Sequence, residues 1–81
     1  METYTLLQAV NMLIRSKAKM FRCINCDDGV DHPYLVLIAG KPSWTNRENN
    51  SFGGHIDVDI DRRYGFKFAE VLVKSKLRAK V

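Results

Sequence analysis

Apolar positions near the start of the chain recur at intervals of three and four. Leu6, Ala9, Val10, Leu13 and Ile14 form the stripe, Leu7 and Met12 widen it, and Gln8, Asn11 and Arg15 occupy the wet side. That period belongs to an amphipathic helix. Thr5 followed by Gln8 three residues later matches a capping box, in which each side chain satisfies a backbone amide of the other's residue. Tyr4, just before the cap, stands where it can staple onto Ala9. Arg15, Lys17 and Lys19 gather where cations complement the helix dipole. The pattern predicts a helix from Leu6 to about Ala18.

Further along, the period shortens. Met20 to Cys26 reads as a short strand. Tyr34 to Ala39 is a continuous apolar run, which predicts a central strand covered on both faces. Between them CDDGVDHP supplies the Asp, Gly and Pro of a turn. Gly40 to Gly54 is rich in turn formers and reads as a long surface loop, of the kind that carries function. His55 to Asp61 alternates, with Ile56, Val58 and Ile60 facing in and His55, Asp57, Asp59 and Asp61 facing out. A turn at Arg62 to Gly65 would then set Val58 opposite Ala69 and Asp57 opposite Glu70. Alternation from Ala69 to Val81 predicts a final strand, with a C-terminal helix as the alternative because Lys, Leu, Arg and Ala also favour helix. The expected fold is α+β: one N-terminal helix on a small, mainly antiparallel sheet of about four strands, with a partial barrel as a variant, in one domain over residues 1–81.

Composition narrows the classes. The chain has 81 residues, 46% of them hydrophobic and 27% charged, which excludes a disordered tail or a collagen-like repeat. No apolar run approaches the roughly 20 residues of a membrane span. The start, METYTLLQAV, lacks the basic n-region of a secretory signal. A reducing, cytoplasmic setting with Cys23 and Cys26 as free thiols is therefore expected. So short a chain buries a modest core, which favours a homodimer.

The net charge of +4 is unevenly spread. Asp27, Asp28 and Asp31 form one acidic group, and Asp57, Asp59 and Asp61 form another. After Asp61 come Arg62, Arg63, Lys67, Lys74, Lys76, Arg78 and Lys80 against the single Glu70. On a strand, Lys74, Lys76, Arg78 and Lys80 would stand about 6.6 Å apart on one face, a row able to follow a phosphate backbone. Arg62, Arg63 and Lys67 would support it. Trp44, Tyr64, Phe66 and Phe68 are candidate base-stacking platforms. The competing reading is a strand whose lysines prevent edge-to-edge aggregation. No recognition helix is evident, so RNA or single strands are favoured over duplex DNA.

The leading expectation is a small, basic, non-enzymatic nucleic-acid-binding module acting as an accessory or regulatory factor. The alternative is a protein-binding inhibitor of a host protein, contacting its target through Trp44, Arg47 and Phe52 or by β-augmentation of the last strand.

Other chemistry is thinner. Cys23-Ile24-Asn25-Cys26 is a lone CxxC, and His32, His55 or Asp27 would complete only a weak zinc set, so two ordinary thiols are the simpler reading. The stripe of His55, Asp57, Asp59 and Asp61 with Glu70 suits a hard cation, but nearby arginines and lysines balance it more simply. There is no Gly-x-Ser-x-Gly and no Walker loop, and His32 before Pro33 reads as a turn residue. No enzyme activity, metal or cofactor is expected.

The run LLQAVNMLIRSKAKMFRC followed by YLVLIAG resembles the Thoeris anti-defence 2 proteins of phages over about half the chain, by hydrophobic pattern. That family's tryptophan after the first strand and its acidic-Trp ending are absent here, so no ligand residue is carried across. The resemblance implies a small phage-type inhibitor.

Overall fold

The computed structural model describes residues 2–26 and 31–72. Helix α1 (Leu6–Ile14) is followed by strands β1 (Phe21–Cys23), β2 (Tyr34–Ile38), β3 (Lys41–Thr45) and β4 (Phe52–His55). A one-turn helix α2 (Val58–Asp61), a 3₁₀ turn (Arg62–Tyr64) and strand β5 (Phe68–Glu70) complete the order. The fold is α+β, with a five-stranded antiparallel sheet in the order β4-β3-β2-β1-β5. The sheet is open, so the partial barrel is not formed.

Helix α1 begins as its sequence dictates. The Thr5 hydroxyl accepts from the Gln8 amide at 3.2 Å, and Gln8 Oε1 accepts from the Thr5 amide at 2.9 Å. Tyr4, before the cap, packs against the core cluster that includes Ala9; its backbone also exchanges two hydrogen bonds with Phe68, at 2.8 and 2.9 Å, and its ring forms a T-shaped pair with Phe21. The helix stops four residues short of Ala18. Arg15 leaves helical geometry and Ser16 takes a φ of +59°, which turns the chain so that Ala18 and Met20 are buried.

One helix face and one sheet face make the main core, where Leu6, Ala9, Val10 and Leu13 meet Phe21, Cys23, Leu35 and Phe68. Phe21 and Phe68 are fully buried, each contributing roughly 1.5–3 kcal/mol of apolar burial. Across the sheet, Met20, Tyr34 and Val36 form a second cluster with Ile38 and Val71. β2 therefore has apolar contacts on both faces, as its unbroken apolar run predicts.

Several expectations are corrected. The segment read as a long loop holds β3 and β4. β2 turns into β3 through Ala39 and Gly40, both at positive φ (54° and 76°), with Ile38 opposite Lys41. That is the backbone of a two-residue hairpin turn, whose twist matches that of the strands. The alternating segment after His55 is not a strand. Asp57 Oδ1 accepts from the amides of Asp59 and Ile60, which caps α2 and overrides the alternation. The proposed hairpin between that segment and residues 66–71 is consequently absent. β5 pairs with β1 instead, placing Phe21 opposite Glu70 and Cys23 opposite Phe68. Cys23 and Cys26 are joined in a disulfide, not held as free thiols. β1 ends at Cys23, and Cys26 belongs to the bend after it.

Candidate functional site

The sharpest local feature is a clamp between distant segments. Asn25, in the bend between the two cysteines, donates from Nδ2 to the Gly65 carbonyl at 3.0 Å and accepts at Oδ1 from the Lys67 amide at 2.8 Å. The Ile24 amide donates to the Lys67 carbonyl at 2.9 Å. Gly65 has a φ of +69°, a conformation open to glycine without strain. Together these fix the segment from Arg62 to Lys67 against the start of the β1–β2 connection.

That segment carries an aromatic wall. The Tyr64 and Phe66 rings lie 5.6 Å apart at a 32° tilt, and Phe66 meets Trp44 edge-on at 5.7 Å. Tyr64 is 67% exposed, while Phe66 and Trp44 are half-buried. The wall lines a cleft of about 440 Å³ together with Cys26, Asp31, His32, Gly53 and Asp61. Gly53 is required there: a side chain at this position would meet His32 Cβ at 2.7 Å and Trp44 Cβ at 3.1 Å. His32 Nε2 is held by the Ser51 hydroxyl at 2.8 Å.

A second cleft, of about 300 Å³, lies beside the first and shares Phe66 with it. Its other lining residues are Thr5, Leu6 and Leu7 at the start of α1, with Arg62, Gly65 and Lys67. The two clefts differ in charge: the first presents carboxylates and rings, the second two cations beside the positive end of the helix dipole.

Comparison with family models, with curated proteins and with solved structures finds no match to this chain.

The sequence-derived candidates are distributed unevenly over this geometry. Arg62, Arg63 and Lys67 are exposed, and all flank the aromatic wall in the chain. Lys74, Lys76, Arg78 and Lys80 lie outside the described residues. Of the four proposed stacking rings, Phe68 is corrected to a core residue, because β5 lies in the sheet beneath α1. Trp44, Arg47 and Phe52 do not form one patch. Trp44 stands opposite Leu35 and Phe52 opposite Thr45, so alternation sends Trp44 and Phe52 to opposite faces, while Arg47 sits in the β3–β4 connection. The clefts also bring in residues that sequence reasoning had assigned elsewhere, namely Asp31, Asp61 and His32.

Two Ser–His pairs complete the polar chemistry. Ser43 is fully buried and its hydroxyl donates to the Lys41 carbonyl at 2.9 Å, with His55 Nδ1 at 2.7 Å. A hydroxyl has one hydrogen, so His55 Nδ1 is the donor in the second bond. Ser43 thus offers no exposed nucleophile. Among the described residues, no group of three His, Cys, Asp or Glu side chains is placed to hold a metal ion. Nor is any described helix long and apolar enough to cross a membrane.

Proposed function

We propose that the protein binds single-stranded nucleic acid, RNA in preference to duplex DNA, one base entering the aromatic cleft and the backbone phosphates lying on its cationic neighbour. One observation carries this reading: Phe66 is a wall of both clefts, so a stacking surface adjoins a cleft lined by two cations, Arg62 and Lys67. Exposed rings next to cations are what sequence-tolerant single-strand binders use, because every base has a π-face and every linkage a phosphate. Arg63 adds a further exposed cation, and Lys74, Lys76, Arg78 and Lys80, later in the sequence, are the remaining candidate phosphate contacts by their charge. No helix of recognition type enters this account, and duplex DNA would keep its bases from the cleft.

The test is binding of labelled single-stranded RNA across a salt series. Affinity should fall with salt at a slope of about −0.7 per phosphate contacted. Charge reversal of Arg62 and Lys67 together should flatten that slope. Absence of binding at low salt refutes the function.

A second reading has its own observation. β4 pairs with β3 on one side and is the last strand in the sheet order, and Phe52 on it is 57% exposed. A protein target could add a strand there. Recovery of one stoichiometric protein from nuclease-treated lysate, lost on substituting Phe52, would favour it.

A further inference from the structure

The acidic side of the aromatic cleft has no part in gripping a phosphate. Among the described residues, Asp31 and Asp61 are the acidic side chains that line it, and ionised carboxylates only accept hydrogen bonds. They repel a phosphate and any base edge dominated by carbonyl oxygens. They attract an edge that presents N–H groups. The His32 ring is positioned by its Nε2 contact with the Ser51 hydroxyl, so the carboxylates are the groups whose hydrogen-bonding sense is fixed.

Resting on the single-strand reading above, we propose that this cleft selects guanine, with Asp61 reading its N1–H and N2–H₂ edge. Guanine is the base that carries two adjacent donors on one edge, spaced to meet the two oxygens of a carboxylate in a bidentate, charge-assisted pair. Adenine and cytosine each offer one amine beside an accepting ring nitrogen. Uracil offers one N–H between two carbonyl oxygens. Asp61 is assigned over Asp31 on two grounds. It is half-buried where Asp31 is exposed, and a partly desolvated carboxylate makes the stronger hydrogen bond. It also precedes the 3₁₀ turn that ends on Tyr64, so one short stretch presents both the edge reader and the stacking ring. The cleft's volume of about 440 Å³ lies within the ~300–1,000 Å³ typical of small-ligand sites.

The experiment uses the full chain and labelled heptamers of uridine in which the central base is uracil, guanine, adenine, cytosine or hypoxanthine, read by fluorescence anisotropy at low salt. The guanine heptamer should bind about tenfold or more tighter than the all-uridine one. Hypoxanthine, which lacks the N2 amine, should lose most of that gain, and D61N should remove the preference. Equal affinity for all five heptamers, or a preference that survives D61N, overturns the proposal while leaving the single-strand reading intact. Failure of every heptamer to bind removes that reading itself. Saturable binding of a capped Gly-Arg-Gly peptide, abolished by D61N and without oligonucleotide binding, assigns the carboxylate to a guanidinium and overturns the guanine proposal. Should D61N fail to fold, the hypoxanthine heptamer decides the matter without touching the protein.

Discussion

Removing the Asn25 side chain should loosen the aromatic wall before it unfolds the protein. Asn25→Ala deletes the bonds to Gly65 and Lys67, at 3.0 and 2.8 Å, both of them solvent-exposed. Exposed hydrogen bonds sit at the low end of the usual range, about 0.5–1 kcal/mol each, so the local cost is about 1–2 kcal/mol. Because 1.4 kcal/mol is tenfold, amide exchange at Lys67 should quicken by about five- to thirtyfold. Asn25→Asp is the informative partner. Its carboxylate still accepts from the Lys67 amide but faces the Gly65 carbonyl without a hydrogen to give, so it should lie between wild type and alanine. Hydrogen exchange followed residue by residue reads the local effect, and urea denaturation the global one. If Lys67 exchanges at the same rate in all three proteins, or if Asp and Ala behave alike, the clamp does not hold this segment and the argument fails.

Other outcomes are equally specific. Tyr64→Ala should leave stability within about 0.5 kcal/mol, because the ring is largely exposed, but should weaken RNA binding by the ~1–3 kcal/mol typical of one stacked base, read by anisotropy. Gly53→Ala forces a Cβ against His32 and Trp44 and should cost about 1–3 kcal/mol of overpacking in thermal or urea melts; a melt identical to wild type would mean the neighbours give way freely. Reducing the Cys23–Cys26 disulfide with a dithiol should lower stability by only about 2 kcal/mol, since the closed loop is short, measurable as a shift in urea midpoint. Tyr4 has its phenol raised above the ordinary tyrosine range by desolvation, then by its hydrogen bond to Glu2 and the charges of Glu2 and Glu70. The folded state therefore holds that proton more tightly than the unfolded chain. The stabilisation is complete below the ordinary tyrosine pKa and disappears as pH rises through the folded value, which a melt series in Tyr4→Phe against wild type would detect.

The parts of this fold legible in the sequence are those whose causes are local. The capping box needs only Thr5 and Gln8, and β2 needs only its own apolar run. β3 and β4 escape notice because KPSWT and FGGH carry turn residues; they become strands by pairing with β2 and then with one another. β5 misleads for the opposite reason. Its alternation is real, but a nearby partner at residues 55–61 looked sufficient, whereas Asp57 spends that segment on a cap. A sign of this was present in Asp57 followed by Asp59 and Asp61 in a first turn, the pattern of a capped helix start. At the site, Trp44, Tyr64 and Phe66 were recognisable as stacking candidates by type alone. Asp61 and Asp31 were not linked to them, since the cleft is assembled by Asn25, whose partner Gly65 lies 40 residues away and leaves no periodic trace.

The pairing of Tyr4 and β1 with β5 has a consequence for how the chain acquires its structure. The β2–β3–β4 meander is built from neighbours and can form early, whereas Cys23 and Tyr4 wait for Phe68, more than forty residues downstream. Closing such a distant contact carries an entropic toll that delays the rate-limiting step. During synthesis, helix α1 could pack early on Phe21, Cys23 and Leu35 of β1 and β2, but Phe68 would complete the cover of its apolar stripe only once β5 emerged. Association through the part of the stripe that still lacks Phe68 is thus the hazard of this topology before β5 is in place.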